Sequence, residues 1–245
     1  MATITENINR ITQAKADIKE AIIAKGVELS DDVRIDDYAE KIGEIKQGGE
    51  VNTFGAEMVD KIGLGGKCVT KIIIDESVTK VGDSAYYYFN QVLEFVLHDK
   101  IEAFGNASFQ RCEKITRIAI PKLVKLVPGS CFSGCVKLSD VICHDDIMTL
   151  GSYCFQMCGE MDSFIFPAAI SMIGNNTFQS CSKLTNCDFR KATQVPTLQH
   201  ANAFSTANSS CKFIVPDALY NEWVSATNWT TYADRIIKAS EYTES

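Results

Sequence analysis

Apolar residues return every twenty-three positions in this chain, and that spacing limits its possible folds more than any other feature. Starting from Val69, the step lands on Val92, Ile115, Leu138, Met161 and Leu184. A shared pattern follows the first five of these. It runs apolar, two polar, apolar-x-apolar, a Pro, Asp or His corner, two further apolar residues, an aromatic and, from the second unit on, a thiol. Self-similarity at a fixed period of this length belongs to stacked repeat architectures, in which each unit buries its apolar face against the next.

Each unit starts with a short alternating run. Ile72 and Ile74 alternate with Ile73, Phe95 and Leu97 with Val96, and Ile118 and Ile120 with Ala119. Val141 and Cys143 alternate with Ile142, and Phe164 and Phe166 with Ile165. Period-two alternation rich in β-branched and aromatic residues predicts a strand. So short a strand is stable only in a ladder with its copies, at rungs about 4.8 Å apart. Beyond the corner, two more inward positions recur, Val78, Ile101, Val124, Ile147 and Ile170, then Val81, Phe104, Val127, Leu150 and Ile173. The return leg brings one aromatic column, Tyr86, Phe109, Phe132, Phe155 and Phe178. A second column three residues on holds Phe89, Cys112, Cys135, Cys158 and Cys181. Rings at one level and small thiols at another can fill a core at interior density.

Glycine recurs at 82, 105, 151 and 174, with Pro128 in its place once. Glycine there predicts a positive φ, an expectation that Pro128 speaks against. The frame slips after Leu184: about three extra residues intrude before Phe204, and the pattern resumes at Phe213. Insertions in repeat arrays form loops, which predicts a bulge within residues 193–202.

The return legs VGDSAYYYF, FGNASFQRC, VPGSCFSGC, LGSYCFQMC and IGNNTFQSC resemble BspA-type leucine-rich repeats, and the tail IVPDALYNEWVSATNWTTYADRI resembles the closing segment of such proteins. The resemblance runs over residues 69–242. It implies a mainly β fold with some α, a parallel leucine-rich-repeat β-solenoid of about seven rungs. It also implies a protein of gut or oral bacteria, their phages or some protists. A fold of this kind does not by itself assign an activity.

Four regions follow. Residues 1–47 are expected to form a small helical N-terminal module for assembly or anchoring. Residues 48–68 are a linker and N-terminal cap, 69–215 the solenoid, and 216–245 a helical C-terminal cap. In the first region Ile4, Ile8, Ile11, Lys15, Ile18 and Ile22 are spaced as a heptad seam. Isoleucine at both seam positions favours trimers over dimers in parallel coiled coils. Equally, the stripe can pack on a second helix carrying Tyr38, Ile42 and Ile45. This helix pair resembles N-terminal segments of tail-associated and other virion proteins of gut phages. In the last region, helices are expected over residues 217–226 and 231–239.

Composition narrows the function classes. The net charge of −7 argues against a nucleic-acid partner, whose footprint is a basic patch. No apolar run is long enough to span a bilayer, so membrane insertion is not expected. The start MATITENINRITQAKADIKE has no apolar signal core, which predicts a chain without a leader.

Candidate chemistry is sparse. Ten cysteines include Cys131-x-x-x-Cys135 and Cys154-x-x-x-Cys158, which look like metal half-sites. Yet Cys131 and Cys154 share their phase with Ala85, Ser108 and Thr177, substitutions that a packing position tolerates and a metal site does not. His98 and His144 each precede an aspartate, but lie two rungs apart, about 10 Å. No Gly-x-Ser-x-Gly, His-Glu-x-x-His or phosphate loop occurs. No catalytic residue, metal or cofactor is therefore assigned, and the chain is read as a non-enzymatic binding or structural protein.

Two rows on the strand face are the candidate binding surface. Lys71, Glu94, Arg117 and Asp140 alternate in sign on successive rungs, a pattern that fixes register and can also serve a partner. Beside them Ile73, Val96, Ala119, Ile142 and Ile165 point outward if the alternation holds. An apolar row in water suits a protein partner or a second subunit. The assembly residues are Ile4, Ile8, Ile11, Ile18 and Ile22. The leading expectation is a fibre, receptor-binding or tail-associated component of a gut-phage virion, contacting other virion proteins or a cell-surface receptor, as a homo-oligomer (trimer before dimer). The alternative is a bacterial cell-surface or secreted adhesion protein.

Overall fold

The computed structural model describes residues 70–243. The N-terminal module with Ile4, Ile8, Ile11, Ile18 and Ile22, the linker, and Cys68 lie outside the described residues.

The described chain is a parallel β-solenoid built on seven short strands at the repeat interval. These are β1 (Lys71–Ile73), β3 (Glu94–Val96), β5 (Arg117–Ala119), β7 (Asp140–Ile142), β9 (Ser163–Ile165), β11 (Asn186–Asp188) and β13 (Lys212–Val215). A second set of two-residue strands alternates with them: β2 (Lys80–Val81), β4 (Ala103–Phe104), β6 (Leu126–Val127), β8 (Thr149–Leu150), β10 (Met172–Ile173) and β12 (Thr197–Leu198). Every pairing among the described strands is parallel, and as far as β11 the register is the twenty-three-residue one, Ile72 opposite Phe95 and Ile118 opposite Val141.

The expected columns are the core. Tyr86, Phe109, Phe132, Phe155, Phe178 and Phe204 are all buried. Their rings stack rung on rung, at 5.3 Å and 5° for Phe109 on Phe132 and 5.6 Å and 6° for Phe132 on Phe155. The three extra residues do not break the pile, since Phe204 stacks on Phe178 at 5.2 Å and 2°. The thiol column has a hydrogen-bonding reason as well as a packing one. Cys112, Cys135, Cys158 and Cys181 donate S–H to the carbonyls of Tyr86, Phe109, Phe132 and Phe155 at 3.2–3.4 Å. A side chain that fills a small space and also satisfies a buried carbonyl suits this place better than alanine.

The glycine expectation is corrected. None of Gly105, Gly151 and Gly174 has a positive φ. A Cβ on Gly105 would stand 2.3 Å from the Asp83 amide nitrogen, and one on Gly174 2.4 Å from that of Ser152. Glycine is required by the close approach of successive rungs, not by backbone handedness. Their amides donate to Val81, Val127 and Leu150 carbonyls at 2.7–2.8 Å. Pro128 has no N–H to donate, and the ladder of short strands is interrupted there. β2 and β4 form one sheet, β6, β8, β10 and β12 another. Most left-handed residues fall elsewhere, in two columns that are almost free of glycine. One holds Ser84, Ala107, Ser130, Tyr153 and Asn176; the other holds Tyr88, Arg111, Gly134, Met157 and Ser180.

The corners explain the histidines. Asp75 Oδ1 accepts the Ser77 amide, and Nδ1 of His98 and of His144 accepts the amide two residues on, from Lys100 and Asp146. Nε2 of each ring donates inward, His98 to the Asp75 carbonyl at 2.7 Å and His144 to that of Val124 at 3.0 Å. Histidine thus caps the turn as aspartate does and also ties it to the neighbouring rung.

The C-terminal region departs from expectation. Only α1 (Tyr220–Ser225) is α-helical; Asp217–Leu219 and Trp229–Arg235 are 3-10 turns. Residues expected in a second helix instead form strand β14 (Ile236–Lys238), which extends the sheet beyond β13 with Ile236 opposite Phe213. Ile236 is buried as a ladder residue, and the pairing requirement of the exposed last rung overrides local helical spacing. The inserted residues divide in two. The register between β10 and β12 is offset by 25, and that between β11 and β13 by 26. Part of the expected loop, Thr197–Leu198, therefore stays in the ladder. Its irregular carbonyls are taken up by the closing residues. Trp229 Nε1 donates to Pro196 at 2.8 Å, Asn228 Nδ2 to Leu198 at 2.7 Å, and the Tyr232 hydroxyl to Ala201. Among the described residues no helix is long and apolar enough to cross a membrane.

Candidate binding surface

The strand faces divide inward and outward as the alternation requires. Ile118, Phe164 and Cys187 are buried, while the outward neighbours Ile73, Ile142 and Ile165 are 53%, 39% and 58% exposed. Ala119 is exposed and Val96 half-buried. These five side chains hold the same repeat position on five successive rungs, with Ile73 opposite Val96 and Ala119 opposite Ile142, a row about 19 Å long at parallel-strand spacing. Leaving large β-branched side chains in water carries a hydrophobic cost of roughly 25 cal/mol per Å2.

The charged row lies alongside and closes pairwise. Lys71 Nζ is 2.9 Å from Glu94 Oε2, and Arg117 Nε is 2.9 Å from Asp140 Oδ2. Each pair joins two strands that are also hydrogen-bonded to one another, β1 with β3 and β5 with β7. All four side chains are more than half exposed, which limits each pair to about 0.2–1 kcal/mol.

The C-terminal limit of the apolar row was not legible in the sequence. At the next rung the row position is Asp188, held by Arg190 through two contacts of 3.0 Å and 2.7 Å. The Arg190 guanidinium lies 5.7 Å from the centre of the Tyr242 ring. One rung further, Ile214 is buried. The apolar face thus ends at Ile165. The only sequence signal was Asp188 itself, one step beyond Ile165. A second exposed apolar group, Leu123, Leu126 and Met148, lies around the short strands β6 and β8, outside the columns that the repeat pattern marks.

Among the described residues the thiols and histidines are held by packing and backbone contacts. Both ring nitrogens of His98 and of His144 are engaged by backbone. Cys131 meets the Ser108 hydroxyl at 3.2 Å. Burial pushes the Cys131, Cys143 and Cys181 thiols up to about 12, so they remain protonated near neutrality. Thiolate, the form that ligates metal or attacks a substrate, is suppressed at these three positions. No group of three potential metal-binding side chains occurs among the described residues.

The family described as "BspA type Leucine rich repeat region" matches the sequence in six copies, over residues 65–185 and 102–221. The chain belongs to this family. As a BspA-type leucine-rich repeat protein it resembles several solved bacterial structures. A leucine-rich repeat protein from Bacteroides ovatus superposes with a TM-score of 0.57 at 22% identity, covering 69% of this chain and 42% of that one. One from Eubacterium ventriosum gives 0.51 at 27% identity, covering 57% and 37%. A leucine-rich cell surface protein from Faecalibacterium prausnitzii gives 0.50 at 20% identity, covering 70% and 48%. The chain spans less than half the length of each of these structures. A search of curated proteins finds no match.

Proposed function

We propose that this BspA-type repeat protein is a non-enzymatic protein-binding scaffold acting at a bacterial cell surface, with an adhesion-type role. The observation that carries the reading is the exposed apolar row Ile73, Val96, Ala119, Ile142 and Ile165, flanked by the paired charges Lys71–Glu94 and Arg117–Asp140. A stack of parallel strands in three short sheets, presenting apolar side chains at one repeat position and rimmed by polar groups, has the composition of a protein-docking patch. The strands that carry them are held by core packing beneath, so little backbone ordering entropy opposes binding. The surface location draws on the Faecalibacterium protein described as a cell surface protein. The other reading, a component of a gut-phage virion, draws on residues 1–47, which lie outside the described residues. Assembly through Ile4, Ile8, Ile11, Ile18 and Ile22, as a trimer or dimer, remains part of the proposal as a way to raise avidity.

The test uses the labelled full chain on intact host-epithelial and bacterial cells, with and without surface proteolysis of the target. Ile142→Asp combined with Ile165→Asp should reduce protease-sensitive binding at least tenfold while leaving the melting temperature within a few degrees. Equal binding by this variant, or binding that survives proteolysis, would remove the strand face from the account. Surface labelling of the source cells, compared with purified virions, checks the location independently.

A further inference from the structure

Most cysteines of the array point at oxygen, but two point at each other. Cys187, in β11, and Cys211, just before β13, are both fully buried with their Sγ atoms 3.6 Å apart. The contact arises from two small residues meeting at the edge of the insertion. Cys187 holds the inward strand position that carries Phe95, Ile118, Val141 and Phe164 in earlier rungs. Cys211 takes the buried place that Leu184 fills one rung before, and the amide of each bonds the carbonyl three residues back. Two large side chains at these places would have kept the rungs' sulfur-sized gap closed. Two thiols leave a sulfur–sulfur contact of 3.6 Å.

We propose that Cys187 and Cys211 form a redox-sensitive cross-link that ties the sixth rung to the seventh and locks the closing end of the solenoid. The oxidant is a small diffusible disulfide. The Cys211 thiolate attacks one of its sulfurs, forming a mixed disulfide and expelling one small thiolate. The Cys187 thiolate then attacks Cys211 Sγ, forming the internal bond and expelling the second. The two cysteines lose two electrons and two protons, and the small disulfide is reduced to two thiols. The roles follow from the surroundings. Donation from the Cys187 S–H, and then the nearby Arg235 guanidinium, hold Cys211 below the usual thiol range, while burial pushes Cys187 above it. Cys211 is also flanked by exposed Ser209, Ser210 and Lys212, so local opening reaches it first. Arg235 is fixed beside it, stacked on Tyr232 and Phe213 at 4.8 Å and 5.4 Å from the ring centres. The loop enclosed contains the whole insertion, and a cross-link across it removes loop-closure freedom from the open state.

The experiment treats the folded full chain with glutathione disulfide, quenches with an alkylating agent under denaturing conditions, and maps peptides without reduction. The expected result is one cross-linked peptide pair joining Cys187 to Cys211. Eight alkylated thiols should remain of the ten cysteines, and the melting temperature should rise by about 5 °C. The gain should vanish on reduction. Glutathione should be trapped on Cys211 in C187A and on neither residue in C211A. Cross-links through the Cys112–Cys181 column, a stable mixed disulfide in the unsubstituted protein, or ten surviving thiols under conditions that oxidise the urea-unfolded chain would each overturn the proposal.

Discussion

The regular rungs between Ile101 and Ile173 and the closing end from Asn186 to Glu241 reach the same burial by opposite means. In the regular part each side chain meets the neighbouring rung about one repeat away: ring on ring, thiol on carbonyl, lysine on carboxylate. Every rung supplies what the next one needs, so the interactions can be of a few kinds repeated. At the closing end that supply stops. Irregular carbonyls of Pro196, Leu198 and Ala201 are met by Trp229, Asn228 and Tyr232, thirty or so residues on, and Trp223 packs edge-on against Phe189 at 4.9 Å. Repetition makes a rung stable only next to another rung, and termination takes bespoke side chains.

The largest expected break concerns pH. Burial raises eight of the nine described thiols, whereas Cys211 at the closing end is lowered. A raised thiol gives stability that is complete below the unfolded-chain value, near 8.5, and that falls by about 1.4 kcal/mol per pH unit above it. The sum over the array should unfold it between about pH 9 and pH 10. Circular dichroism against pH, with alkylation and peptide mapping, should show the Cys112–Cys181 column opening in this window. An array still folded at pH 11 would mean these thiols are better solvated than the packing allows.

Phe132→Ala and Trp229→Ala each remove a fully buried ring and should each cost about 3–5 kcal/mol. They should differ in reach. Hydrogen exchange after Trp229→Ala should rise over residues 186–241 and leave residues 101–173 protected, while Phe132→Ala should raise it on both sides of its rung. Identical exchange patterns would mean the solenoid unfolds as a single unit, with no distinct closing end.

Glycines sharpen the account of the regular rungs. Gly151→Ala places a Cβ 2.7 Å from the Gly129 amide nitrogen and should cost about 1–3 kcal/mol or more. Gly134→Ala meets only positive φ and an Arg111 side chain, and should cost about 1 kcal/mol. Met157→Gly, at the same left-handed position one rung on, should be neutral or stabilising by about 0.5 kcal/mol. Denaturant midpoints rank the three, and Gly151→Ala as the mildest would refute the close-approach argument.

The smallest effect is expected at Lys122→Ala, whose exposed pair with Asp99 should change stability by no more than about 0.5 kcal/mol. The hydrogen bond from Lys122 holds the Asp99 carboxyl below the ordinary carboxylate range, so its stabilising share is lost as the pH falls through that lowered value. In the variant the Asp99 titration followed by NMR should move back up.

The period, the rung count, the inward columns and the outward row from Ile73 to Ile165 were all legible in the amino-acid sequence. The reason is that in a stacked array the three-dimensional neighbour of a residue is its own equivalent one repeat away. The tertiary structure alone decided which residues turn left-handed, why Gly105 and Gly174 have no side chain, and that residues 236–238 are a strand. It also decided where the apolar face stops, at Asp188 and Arg190, and which two thiols meet. These depend on contacts outside the repeat: backbone approach between rungs, an unpaired last strand seeking a partner, and an insertion that shifts Cys211 out of step and against Cys187. Periodicity carries no information about contacts between residues that are not copies of one another.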